Sequence, residues 1–349
     1  MHEIFHSLTL YSTRVFKKFW PTLRILLSIG LLSEVIGRND WSLFLSSDIK
    51  IKPLFLLYAF LSMFLAYICG GYRWAKFMEI AEFPKVTLSY IGLYFAGGLI
   101  NQGLPSTIGG DSYRAISAKH FTKSGKFYRE SELESELNTS LVPNKTGSKL
   151  RLIIAIVLLD RLMGIAGNNL LGAIGLIMAG SVLTYLALEL GYAILFITLI
   201  LGAIGALGLV WAPSRELLKR LLEKLQLEKF ILCLEFIFSY PIIFMQAFIA
   251  VGIHFLNVLA FWFCLKSFGG QAPIVSLMIG LPALSLLMIL PISISGWGLR
   301  EATLSSILVL WGANPSLVVA ASISYGAISL LTVLPGIYFL LKHHCRSVG

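Results

Sequence analysis

Long apolar runs separated by short polar connections fill most of the chain, and run lengths near 20 residues predict helices that cross a bilayer. The first run, "ILLSIGLLSEVIG" at 25–37, follows Arg14, Lys17, Lys18 and Arg24. No small-x-small cleavage site comes after it, so it reads as a retained helix with a cytoplasmic N-terminus, not a signal peptide. Residues 53–72 predict a second span, opened by Pro53 and closed by Gly70-Gly71. Residues 86–104 predict a third. Residues 150–180 and 190–211 predict two more, joined by a connection without Lys or Arg that belongs outside the cell. The last apolar segments are 235–265, 273–291 and 316–341, with a short one at 302–312.

Two polar stretches interrupt this pattern. Residues 122–150, with "SELESEL" and Pro143-Asn144, read as a solvated insert. In 213–230, Leu217, Leu218, Leu221, Leu222 and Leu225 recur at helical spacing among Arg215, Lys219, Arg220, Lys224 and Lys229. A basic amphipathic helix of this kind is expected to lie on the cytoplasmic membrane surface.

Composition agrees with the pattern: of 349 residues, 57% are hydrophobic and 13% charged. That predicts an all-α polytopic membrane protein of about seven to nine spans. Residues 1–349 are read as a single integral membrane domain, with no room for a second, water-soluble catalytic one. The net charge of +10 raises the question of nucleic acid. Placement answers it, because Arg161 is the only Lys or Arg within 152–210, and Lys266 and Arg300 the only ones within 231–341. Positive charge gathered in connections fits the positive-inside rule and anionic lipid headgroups as partners, not nucleic acid. Cys69, Cys233, Cys264 and Cys345 are scattered, so neither a disulfide frame nor a metal or other cofactor is expected.

The charges also create a conflict. Segment 113–151 holds Arg114, Lys119, Lys123, Lys126, Arg129, Lys145, Lys149 and Arg151 and should be cytoplasmic. Three full spans from a cytoplasmic N-terminus would place it outside. The conflict disappears if residues 86–120 enter and return on one side, as a broken, re-entrant pair of helices.

That break carries the strongest signal in the chain. It reads "NQGLPSTIGGDSYRA" at 101–115, and "ILPISISGWGLREA" at 289–302 repeats it. At a constant offset of 186, Leu104, Pro105, Ile108, Gly110 and Arg114 match Leu290, Pro291, Ile294, Gly296 and Arg300. Pro105, Gly109 and Gly110, like Pro291, Gly296 and Gly298, break the helix and free backbone amides. Paired broken segments are a sequence pointer to a transporter's binding site. Arg114 and Arg300, one turn into the following half-helices, add planar donor forks suited to phosphate. Asn101, Ser106 and Ser293 supply further polar groups for a substrate.

The strings "LPSTIGGDSYR", "DRLMG" at 160–164 and "PISISGWGLRE" resemble the membrane region of lysylphosphatidylglycerol synthases and their stand-alone, flippase-like relatives. The resemblance extends over most of the chain and rests on these three motifs. It implies movement of an aminoacylated or other anionic lipid between leaflets, in the cell membrane of a bacterium or archaeon. A lipid-modifying enzyme is a possible partner. The long soluble aminoacyl-transfer domain is not in this sequence, so enzyme activity is not expected.

Each motif residue also has a plainer reading. Arg114 and Arg300 can pair with Asp111 and Glu301 as structural ion pairs. Asp111 can be an N-cap, and Glu301 can complement a helix dipole. Asp160 and Arg161 are neighbours, so each must reach a partner on a different element; Asp160 reads as proton carrier or counter-ion and Arg161 as a substrate contact. His254 reads as a satisfied core histidine. The favoured function is a lipid flippase driven by proton motive force or downhill flux. The alternatives are a membrane-embedded transferase for lipid-linked sugars, using Asp40 or Asp48, and a non-catalytic partner of a lipid-modifying enzyme.

Overall fold

The computed structural model describes residues 26–37, 50–104, 108–121, 145–180, 185–210, 212–239, 242–288, 293 and 296–348. The basic N-terminus, Asp40, Asp48, Pro105, Ser106, Pro291 and residues 122–144 of the polar insert lie outside these. The described elements are helical, with no strand among them. They are α1 (Leu26–Gly37), α2 (Pro53–Ile80), α3 (Thr87–Gly103), α4 (Ile108–Ala118) and α5 (Lys145–Ala179). Next come α6 (Tyr185–Val210), α7 (Ala212–Lys224), α8 (Phe230–Phe238) and α9 (Ile242–Ser267). The chain closes with α10 (Ile274–Leu287), α11 (Leu299–Val309), α12 (Pro315–Val333) and α13 (Pro335–Val348). The helices Pro53–Ile80 and Ile242–Ser267, and the stretch Pro315–Lys342 that runs through α12 into α13, are long and apolar enough to cross a membrane.

Several boundaries differ from the sequence reading. Gly70-Gly71 does not end the second span: α2 runs on to Ile80. A Cβ on Gly70 would sit 2.7 Å from the Tyr94 hydroxyl, and one on Gly71 would sit 2.9 Å from Ile91 Cα. The glycines let α3 approach instead of stopping α2. Segment 235–265 is two helices, because Ser239 turns to extended backbone (ψ 138°) and ends α8. Pro335 likewise divides 316–341 into α12 and α13.

Two apolar cores hold the bundle. One gathers Met63 of α2, Phe261 of α9, Leu277 of α10, Leu304 of α11 and Ala321 of α12. The other gathers Trp74 and Phe77 of α2, Leu93 of α3, Ala118, Ile153 of α5 and Cys233 of α8. Helix α2 serves both, with its first half in one and its second half in the other. Outward-facing Leu61, Phe196, Phe244 and Phe248 leave an apolar exterior, which suits hydrocarbon.

Both broken motifs form helical hairpins. Asn101 faces Gly110, Gly97 faces Arg114 and Gly110, and the Tyr90 and Phe121 rings meet at 5.4 Å, so α3 and α4 run antiparallel. A Cβ on Gly110 would lie 2.1 Å from the Gly97 carbonyl oxygen, so the helices touch backbone to backbone. In the second hairpin Gly280 of α10 lies against Leu304 and Ile307 of α11.

The hairpin brings the end of α4 back toward the start of α3. There Lys149 donates to the carbonyls of Lys119 and Phe121, and Lys229 pairs with Glu82. Helix α7 buries Leu222 against α8 and leaves Leu217 and Leu221 exposed, as is Leu225 just past its end. The described parts of the 113–151 segment, 113–121 and 145–151, therefore lie at the same end of the bundle as 227–230. In a cysteine-free background, single cysteines at Ser131 and Gln226 should both resist an impermeant thiol reagent in intact cells. Labelling of one without the other would contradict a shared cytoplasmic face.

Candidate functional site

Between the hairpins lies a cavity of about 510 Å³, lined by α2, α3, α4, α5, α9, α10, α11 and α12. Its charged wall begins on α5. Asp160 and Arg161, neighbours on the helix, point to different partners. Asp160 accepts from Arg73 Nε at 2.8 Å and lies 3.5 Å from Arg114 Nη1. Arg161 Nε donates to Asp111 Oδ2 at 2.6 Å, and Arg114 Nη2 donates to Asp111 Oδ1 at 2.7 Å. The order in space is Arg73, Asp160, Arg114, Asp111, Arg161. Among the described residues, three guanidinium groups thus share two carboxylates.

The middle of this chain is deeply buried. Arg73 is 4% exposed, Arg114 4% and Asp160 3%. The Arg114 guanidinium sits 4.8 Å from the Trp74 ring and 4.7 Å from the Tyr94 ring. Two rings against a cation stabilise it by about 0.5–2 kcal/mol each and fix the plane of its fork. Arg73 Nη1 and Arg114 Nη1 are buried without a hydrogen-bond partner. Unmet donors of this kind carry a desolvation cost of about 1–3 kcal/mol.

The second copy repeats the stacking but closes the electrostatics. Arg300 lies 5.0 Å from the Trp297 ring and 5.6 Å from Tyr325. Its Nε and Nη2 reach Glu301 Oε1 at 3.1 and 2.9 Å, and Nε also donates to Ser322 Oγ at 2.9 Å. Ser322 Oγ in turn donates to Glu301 Oε1 at 2.7 Å, while the Gly298 N–H donates to Oε2 at 2.7 Å. Glu301 is fully buried and caps α11 as well as balancing Arg300. Here one cation meets one anion.

Arg114 and Arg300 thus line the same cavity, each beside the acid that the plainer reading assigned to it. Asp111 is not the N-cap of α4. Its carboxylate is taken by Arg114 and Arg161, and Asn101 Oδ1 instead accepts the Gly110 N–H at 2.8 Å. Arg114 is no connecting-loop charge either, since it is sealed in the bundle. Ser293 is buried and is not among the cavity-lining residues. Gly109 packs where a Cβ would meet Leu104, and Gly296 and Gly298 adopt φ of 80° and 81°. Those angles favour glycine. At Gly298 a Cβ would also meet Leu31 of α1. His254 Nε2 is 2.8 Å from the Gly164 carbonyl, and the ring lines the cavity.

Arg73 was missed by sequence reasoning because Gly70-Gly71 looked like a helix end. The signal was present in the continued apolar spacing of Trp74, Phe77 and Met78, which places Arg73 inside a helix.

A family profile described as the lysylphosphatidylglycerol synthase TM region matches residues 22–336, spanning both broken motifs and the cavity between them. Searches of curated proteins and of solved structures returned no match.

Proposed function

We propose that this chain, which belongs to the lysylphosphatidylglycerol synthase TM-region family, moves an anionic, phosphate-bearing lipid between membrane leaflets. The observation that carries the reading is the imbalance among the described cavity residues: three arginines share two aspartates, and Arg73 Nη1 and Arg114 Nη1 lack hydrogen bonds. In a low dielectric an excess cation is costly until an anion joins it. A phosphate offers oxygens for the unmet donors and charge for the unmet cation. The acyl or prenyl chains stay in the bilayer while the headgroup occupies the cavity. Rocking of one hairpin half against the other would open the site to each leaflet in turn.

In proteoliposomes, the purified protein alone should equilibrate a fluorescent phosphatidylglycerol between leaflets, and mass spectrometry should recover the lipid unchanged. Protein-free vesicles should retain the starting asymmetry. Conversion of a lipid-linked sugar donor to product, abolished by Asp40→Asn or Asp48→Asn, would replace this reading with that of a transferase.

A further inference from the structure

We infer that the exposed face of α7 docks on the anionic headgroup layer of the chain's own membrane, and that this seating holds α8 against α2 behind Arg73. Leu217 and Leu221 are 60% and 48% exposed. The Leu225 N–H still donates to the Leu221 carbonyl at 3.1 Å, so the exposed Leu225 continues their stripe. Arg220 and Lys224 are exposed and border the stripe, each one turn past one of its leucines. Glu216 and Glu223 fall on the far side of the helix. Leucines with cations beside them and acids behind match a surface that is negative outside and apolar underneath. Reach also selects the membrane. Helix α6, with Phe196 and Leu201 facing outward, leads into α7, and α9, long and apolar enough to span a bilayer, follows α8. Both ends of the 212–239 unit are thus tied to apolar helices, which keeps the stripe beside the bilayer surface.

The inward leucines carry the seating to the site. Leu218 and Leu222 share an apolar cluster with Phe230, Ile231 and Leu234 of α8, and Arg215 Nε donates to Glu235 Oε1 at 3.1 Å. Cys233 on α8 is fully buried, and its Sγ donates to the Phe77 carbonyl of α2 at 3.4 Å. Phe77 lies one turn beyond Arg73, whose Nε and Nη2 donate to Asp160 Oδ1 and the Asp160 carbonyl at 2.8 and 3.1 Å. Lys229 pairs with Glu82, a second tie from this unit to the end of α2. A charged surface that holds α7 therefore also fixes α8 on the turn of α2 that follows Arg73. The inference goes beyond the transport reading and does not depend on it.

Cys233 reports the contact of α8 with α2, and Cys264, fully buried in the other core, is its control. The full chain is placed in phosphatidylcholine vesicles with or without phosphatidylglycerol, and alkylation by N-ethylmaleimide is followed at each cysteine by peptide mass spectrometry. A basic side chain near an anionic surface contributes about fivefold in partition, so Arg220 and Lys224 together contribute about 25-fold. Cys233 should react faster in neutral than in anionic vesicles by about that factor, with Cys264 unchanged. The double variant Arg220→Gln/Lys224→Gln should show the fast rate in both. Arg220→Glu/Lys224→Glu should regain protection in vesicles carrying a cationic lipid, which a folding defect would not allow. Vesicles made anionic by oleate, which has no phosphate, should protect as phosphatidylglycerol does. Protection by phosphatidylglycerol alone would place the effect in the cavity and overturn the inference. Equal Cys233 rates for the parent in neutral and anionic vesicles, or parallel changes at Cys233 and Cys264, overturn it as well. A bimane on Leu221→Cys should be quenched by lipids brominated along the acyl chain. An unquenched probe, or a disulfide joining two copies through that cysteine, would give the face to water or to a second copy and equally overturn it.

Discussion

Glu301→Gln should destabilise the protein by about 3–5 kcal/mol, the cost of leaving a buried guanidinium without its carboxylate. Arg300 is 6% exposed and is paired with one acid, so no neighbouring carboxylate can replace the one removed. The change also weakens the acceptor for the Gly298 N–H at the start of α11. Combining it with Arg300→Gln removes the stranded charge and should recover most of the loss. Thermal melting of the two single variants and the double variant in one detergent checks this. A Glu301→Gln protein as stable as the parent, or a double variant no better than the single, would show that the pair is not the lock described.

Arg114→Gln should act on function instead. Without Arg114, Asp160 keeps Arg73 and Asp111 keeps Arg161, so the remaining charges balance two against two. The stability cost is then mainly the lost stacking on Trp74 and Tyr94, about 1–4 kcal/mol for the two rings. Transport loses the excess charge and a fixed donor fork. Truncating one partner of such a contact costs about 2–5 kcal/mol, roughly 30-fold to 5,000-fold in rate. Lys should rescue only partly, because it keeps the charge but neither the fork nor the flat stacking. Initial rates of lipid equilibration beside melting curves decide it. Normal transport by Arg114→Gln would end the headgroup-site proposal.

These two outcomes separate residues that the sequence makes look equivalent. Register and Pro-Gly-Arg spacing relate Arg114 to Arg300, and the antiparallel hairpins follow from the same breaks. Their acids do not obey the repeat. Asp111 precedes its arginine by three residues and Glu301 follows its own by one, and the position equivalent to Asp111 is Trp297. One copy could therefore become a closed pair while the other stayed open. That divergence was not legible, because it depends on Arg73 arriving from α2, and Gly70-Gly71 resembled a terminus. Glycine marks close backbone approach as readily as a chain break, and only the packing of Tyr94 and Ile91 distinguishes the two here. The opposing demands on Asp160 and Arg161 were readable, since neither has its counter-charge on the same face of its own helix.

The three-to-two ratio of arginine to aspartate among the described residues also bears on voltage. An empty cluster with one positive charge feels the membrane field, at about 2.3 kcal/mol per 100 mV for a full crossing. A cluster holding a monoanion is neutral and feels almost none. An inside-negative potential would then draw the empty site toward the cytoplasmic side and leave the loaded one indifferent. Voltage would decide where the unloaded protein waits, and the lipid gradient would decide which way the loaded one delivers.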